Sequence, residues 1–183
     1  MRRRCSRRPE VAARIRTAKL IIVPHGVLHY VPFCALGSAD APLLDRYDLR
    51  ILPSATVLAF LKPAKPIESA LILGNPDLDN PALDLPFAQE EGLALARILP
   101  HPRLRLRKEA TAEQLQGGHY GIIHLAAHGS FDERRPLDSA LFLASTPRTQ
   151  GTLKVSDLYR LDLDADLVTL SACETAPPRS WRS

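Results

Sequence analysis

Apolar residues along this chain gather in short runs, each closed by glycine, proline or a polar cluster. Runs of that length between turn residues predict buried strands. The sharpest is Leu167-Val168-Thr169-Leu170, inside Asp166–Thr175, which reads as a strand buried on both faces. It stops in small and polar residues, with Cys173 immediately past its end. A second run, predicted as a strand over Tyr120–Ala127, ends the same way and delivers His128 and Gly129.

The remaining pattern predicts a hairpin first, from Leu20–Val23 and Val27–Val31 around Pro24-His25-Gly26, then a strand over Tyr47–Leu52. Ser54 is placed to cap a short helix over Ala55–Leu61. Lys62-Pro63-Ala64-Lys65-Pro66 is the best linker candidate. Beyond it strand and helix alternate. Ala70–Leu73 is a strand closed by Gly74-Asn75-Pro76, and Phe87–Leu99 is an amphipathic helix with apolar Leu93, Ile98 and Leu99 and early Glu90-Glu91. Leu104–Leu106 is a strand, Ala112–Gln116 a helix capped by Thr111, Ser139–Leu143 a strand, and Ser156–Leu161 a helix capped by Ser156. Alternation with apolar strands predicts an α/β fold with a mostly parallel sheet covered on both faces.

Composition narrows the class without changing the fold. Of 183 residues, 45% are hydrophobic and 24% charged, as in an ordinary globular protein. No apolar run approaches the roughly 20 residues that span a bilayer, so no membrane association is expected. Cys5, Cys34 and Cys173 are odd in number and widely spaced, which points to a reducing, cytoplasmic setting, with Cys34 read as structural.

The net charge of +4 is unevenly spread. Residues 1–19 hold Arg2, Arg3, Arg4, Arg7, Arg8, Arg14, Arg16 and Lys19 against Glu10, a balance of +7, so the rest carries 4 − 7 = −3. This start is read as a basic tail or helical stub. Without interleaved aromatics or a recognisable motif, it is a solvated tail rather than a nucleic-acid arm. Arg7-Arg8 is not an export signal, because only Leu20–Val23 follows where an h-region of about 7–15 residues is needed.

The chemistry turns on two residues. Cys173 is either a small buried hydrophobe, as most free cysteines are, or a nucleophile at the sheet edge where open α/β folds place their ligands. If the strands before His128 and Cys173 are parallel neighbours, both side chains emerge at one edge, the requirement for a nucleophile and its base. The backbone N–H groups of Gly129 and Cys173 are then the candidate oxyanion donors. Gly129, lacking a side chain, is expected to turn sharply there. His25 and His29 fall four apart, but Pro24 and Gly26 argue against a helical metal face there; no cysteine pair with ligand spacing accompanies His119, His124 and His128, and His124 is read as a hydrogen-bonded structural histidine. Gly74-Asn75-Pro76 lacks phosphate-loop spacing, so neither metal nor cofactor is expected. Asp132, Asp138 and Asp157 are read as solvated acids rather than a pocket for a basic residue.

HLAAHG at His124–Gly129 and LSACET at Leu170–Thr175 resemble the histidine and cysteine motifs of the CHAT family of caspase-like peptidases. LIIVPHGVLHYVPFCAL at Leu20–Leu36, LPSATVLAFL at Leu52–Leu61, LILGNP at Leu71–Pro76, LPFAQEEGLAL at Leu85–Leu95, PLDSALFLA at Pro136–Ala144 and DLYRLDLDADLVTLSACET at Asp157–Thr175 are similar to that family too. The resemblance implies a caspase-like three-layer sandwich over residues 20–176, with His128 as general base and Cys173 as nucleophile of a cysteine endopeptidase. It also implies peptide or protein substrates and tetratricopeptide-repeat or regulatory partners. Ala176 departs from the family's glycine, and Pro177-Pro178 block a helix or central strand. The domain is therefore expected to be incomplete at its C-terminus, with 177–183 a non-homologous tail. The alternatives are an inactive interaction module of the same fold, or an unrelated α/β hydrolase or transferase using Cys173.

Overall fold

The computed structural model describes residues 14–38, 40–61, 63 and 65–172. The chain divides into two compact units, Met1–Lys62 and Pro63–Ser183, and the division falls in the proline- and lysine-rich stretch expected as a linker.

The first unit is built from short pieces. Strand β1 (Lys19–Ile22) is followed by a 3-10 turn at Gly26–Tyr30, then β2 (Gly37–Ser38), β3 (Ala41–Pro42) and β4 (Asp48–Ile51). The expected hairpin after Leu20–Val23 does not form. Local bonds from Leu28 N–H to His25 O and from Val31 N–H to Leu28 O close the Gly26–Tyr30 segment on itself. Strand β1 instead pairs in parallel with β4, Lys19 opposite Asp48 and Ile22 opposite Ile51. Ser54 caps as expected, its hydroxyl accepting from Thr56 N–H at 3.2 Å, although the helix is a 3-10 turn over Ala55–Ala59. Cys34 is exposed on such a turn rather than packed inside.

The second unit holds every buried hydrophobic residue of the described core, from Ala70 to Leu153. Its elements are β5 (Ala70–Pro76), α1 (Pro86–Ile98), β6 (Pro102–Arg107), β7 (His119–Ala126), β8 (His128–Ser130), β9 (Ala140–Phe142), β10 (Thr152–Lys154), the single turn α2 (Val155–Leu158) and β11 (Asp164–Ser171). Four of them form an all-parallel sheet in the order β11-β7-β5-β6. The chain leaves β5 toward β6 and then crosses to β7 on the other side. This makes β5/β7 the switch point, where crevices open beyond the strands' carboxyl ends.

Side-chain alternation sorts the core into two layers, as the period of a strand requires. Ala70, Ile72 and Ile122 face α1 and meet Leu95, Ala96, Leu99 and Leu104. Leu71, Leu73, Ile123 and Leu125 face the other way, onto Leu115, Leu143 and Leu153 beside the small antiparallel sheet β10-β9-β8. The result is a mixed α/β sandwich, as expected. Helix α1 lies close because Gly74 faces it from β5 and its own Gly92 faces the sheet: a Cβ at Gly74 would come within 3.0 Å of Ala88 O, and one at Gly92 would stand 3.4 Å from Ile72 Cγ2. The stripe of α1 that meets the core is Gly92, Leu95 and Ala96, continued by Leu99 just past the helix end, while Leu93 and Ile98, expected on the apolar face, fall off that stripe and are exposed.

Other expectations are corrected by local bonding. Thr111 does not cap with its side chain; it bridges Ala144, and Ala112–Leu115 is a 3-10 turn. Asp157, not Ser156, closes the start of α2, accepting from Lys154 N–H at 3.0 Å. Strand β11 is not buried on both faces. It is an edge strand of the sheet among the described residues, as β6 is on the other side, and Leu167, Val168 and Leu170 are 47%, 45% and 62% exposed.

Candidate functional site

Strands β7 and β11 are parallel neighbours in register, Leu167 opposite Ile122, Thr169 opposite His124 and Ser171 opposite Ala126. The strand order that a His128–Cys173 pair requires is therefore present. Two residues past each end of this ladder stand His128, on β8, and Cys173. Cys173 lies outside the described residues, together with the rest of 173–183 and with 1–13, so the expectations placed on them, the basic start and the final tail included, lie outside too.

His128 is buried, and its Nε2 lies 2.8 Å from the backbone carbonyl of Leu83. A carbonyl can only accept, so Nε2 carries a hydrogen. In the neutral ring Nδ1 is then the basic nitrogen, which settles the tautomer. Leu83 belongs to the 77–85 loop that follows β5, so the two sides of the switch point meet at this hydrogen bond.

That loop is tied down in turn. Asn75, at the end of β5, is buried with φ +45° and accepts from Leu85 N–H at 2.8 Å and from Arg107 Nη1 at 3.0 Å. Arg107, itself at φ +53°, also reaches Asp84 at 2.6 Å and Asp77 at 3.6 Å. Two non-glycine residues in the left-handed region, side by side at the carboxyl edge, represent strain of about 1–3 kcal/mol each. The hydrogen bonds hold them there.

Gly129 is extended within β8, opposite Leu141, and does not make the sharp turn expected of it; its φ lies outside the left-handed region. A Cβ added to it would stand 3.6 Å from the Ala172 Cβ, so Gly129 lies beside the residue that precedes Cys173.

On the α1 side of β7 is a polar group that the sequence pattern did not reveal. His124 Nδ1 is 2.6 Å from Thr169 Oγ1, its neighbour across the ladder, and Nε2 is 3.3 Å from Glu91 Oε1 of α1. The latter contact is electrostatic rather than an aligned hydrogen bond. The second Glu91 oxygen, Oε2, accepts from the Ser171 hydroxyl at 3.0 Å. Burial pushes the His124 pKa down, against the opposing pull of the Glu91 charge, so the ring is neutral and structural.

The three histidines do not converge. His119, at the other end of β7, contacts Asp164 at 3.0 Å and Asp166 at 3.8 Å. The acids beyond β8 are engaged by neighbours: Asp132 accepts the N–H groups of Arg134 and Arg135, and Asp138 meets Arg135 and Lys154. Among the described residues no group of three His, Cys, Asp or Glu side chains could hold a metal ion. No helix among them is long and apolar enough to cross a membrane.

A cavity of about 410 Å³ opens on the opposite face of β7 and β11, lined by Ile123, Leu125, Phe131, Val168, Leu170 and Ala172 among others. A family model described as CHAT domain matches residues 4–180, nearly the whole chain. A search of curated proteins gave no match.

Proposed function

The chain belongs to the CHAT-domain family, and on that premise we propose that it is a caspase-like cysteine endopeptidase domain. His128 is the base and Cys173 the nucleophile. The observation that supports the reading is the in-register β7/β11 pair, whose ladder ends at Ala126 and Ser171, each two residues before a member of the proposed dyad.

The chemistry follows from the tautomer at Leu83. His128 Nδ1 takes the Cys173 thiol proton, and the resulting imidazolium stabilises a thiolate that is scarce in a free cysteine of pKa about 8.5. The sulfur attacks the peptide carbonyl carbon, and the N–H groups of Gly129 and Cys173 stabilise the developing oxyanion. The imidazolium returns its proton to the leaving amine as the C–N bond breaks, leaving a thioester. Water, deprotonated by the same nitrogen, then releases the acid and restores the thiol. The Leu83 carbonyl stabilises the imidazolium through Nε2–H in both halves of the cycle. The substrate is a peptide or protein, and tetratricopeptide-repeat regions or regulatory partners are the expected neighbours in a cytoplasmic setting.

One observation favours a second reading, an interaction module of the same fold: β11 presents apolar side chains at the rim of the sheet. A peptidyl acyloxymethyl ketone probe separates the two. The peptidase reading expects labelling of the native chain, abolished by Cys173→Ala and reduced by His128→Ala. Labelling that survives Cys173→Ala, or none in the native chain, leaves the interaction module.

A further inference from the structure

We propose that Glu91 is a positioning residue, and that the segment from Leu83 to Glu91 is a clasp holding His128 on one side and the end of β11, at Ser171, on the other. The inference rests on the peptidase reading for its catalytic meaning, while the clasp itself is a matter of contacts. Leu83 O takes the Nε2 side of His128 at 2.8 Å. Eight residues later Glu91 Oε2 takes the Ser171 hydroxyl at 3.0 Å, two positions before Cys173. Its other oxygen faces His124 Nε2, and His124 Nδ1 reaches back to Thr169 on the same strand.

The hydrogens of this group run in one direction. With His124 neutral and Glu91 an acceptor at both oxygens, Thr169 O–H donates to Nδ1, Nε2–H faces Glu91, and Ser171 O–H donates to Glu91. Strand β11 is thus fastened to α1 at Ser171, and through the His124 ring at Thr169, on the α1 side of the sheet. Helix α1 cannot shift along the sheet without moving the contact to Ser171 and the Leu83 carbonyl together, because Pro86 and Asn75 pin its start: Asn75 Oδ1 accepts from Leu85 N–H and Asn75 Nδ2 donates to Gln89. A nucleophile and base must be held to well within 1 Å, since an error of that size costs about a hundredfold.

Glu91→Gln keeps the length and removes the charge; Ser171→Ala removes one hydroxyl from an exposed strand position and serves if the Glu91 variant does not fold. In the full-length chain, the His124 ring titration and Ser171 amide exchange are followed by NMR, and probe labelling of Cys173 is resolved into inactivation rate and probe affinity. In Glu91→Gln, His124 is expected to titrate lower than in the native chain, because the carboxylate favouring its charged form is gone. In both variants the backbone amide at position 171 exchanges faster, and the inactivation rate falls about tenfold or more with probe affinity unchanged. Glu90→Gln, one residue away and exposed, leaves all three readouts unaltered. Unchanged exchange at Ser171, or an unchanged inactivation rate in a chain that labels, overturns the clasp. A native chain that does not label, but whose variants still show the His124 and Ser171 changes, sinks the peptidase reading and upholds the clasp as a structural tie.

Discussion

Replacing Asn75 tests whether the strained carboxyl edge supports the base. The side chain is 4% exposed and its Oδ1 accepts from Leu85 N–H and Arg107 Nη1, both within 3.0 Å. Asn75→Ala removes both bonds. The neutral one is worth about 1 kcal/mol and the charge-assisted one about 1.5–3 kcal/mol. Alanine must also hold φ +45°, which costs a residue with a Cβ about 1–2 kcal/mol; asparagine already bears that strain, so it does not add to the loss. The two bonds together come to about 2.5–4 kcal/mol, or roughly 10 °C in melting temperature for a chain of this size. Asn75→Gly loses the same bonds without the backbone strain. Its greater freedom when unfolded returns about 0.4–1 kcal/mol of that advantage, leaving glycine ahead of alanine by about 1 kcal/mol. Thermal and urea melts of the two variants measure the difference, and probe labelling should slow in both because Leu85 lies two residues from the carbonyl that grips His128. A glycine variant no more stable than the alanine variant refutes the strain argument. Unaltered labelling in both refutes the link to the base.

Two further outcomes follow from the same structure. Burial pushes the Glu113 carboxyl up, but hydrogen bonds from Thr146, its own backbone, Thr111 and Thr149 outweigh it and hold the pKa below its ordinary 4.5. A lowered carboxyl pKa contributes stability that is complete above the unfolded value and is lost as pH falls through the folded one. Urea melts below pH 4.5 should therefore show an acid-side loss that Glu113→Gln lessens; equal slopes would contradict it. Leu71 is fully buried while Leu170 is mostly exposed, so Leu71→Ala should cost about 2–5 kcal/mol and Leu170→Ala under about 1 kcal/mol in the same melts.

Much of the second unit is legible in the sequence because its strands are apolar runs with one dominant period. Ala70–Leu73 and Leu167–Leu170 fall inside β5 and β11, Tyr120–Ala127 matches β7 but for its last residue, and the shared form of two runs ending in His128 and Cys173 anticipates their parallel pairing. Burial is less legible. An apolar run announces a strand but not its place in the sheet, so β11 reads as central although it lies at the rim. Short segments are ambiguous for a different reason: four or five residues satisfy a 3-10 turn and an α-helix equally, as at Ala112–Leu115. The parallel β1–β4 pair depends on partners far apart in sequence, which no local pattern encodes. The Leu83 carbonyl leaves no trace in residue type at all. Asn75 did carry a signal, since asparagine tolerates the left-handed region better than most residues with a Cβ. Glu91 reads as a favourable charge near a helix start, and nothing local joins it to Ser171 eighty residues away.

The position of β11 also orders events in time. Of the four parallel strands it is the last to leave the ribosome, and it joins a sheet whose other three members are already complete in the chain. It adds by long-range pairing, the slow kind of step in folding. Among the described residues it is held along one side by β7, so it and β6 are the two strands whose loss leaves the other three paired, and amide protection should decline from β5 and β7 outward. The strand that leads to Cys173 is thus the last assembled and among the first released. Warming should loosen that end of the molecule while the body of the sheet is still folded.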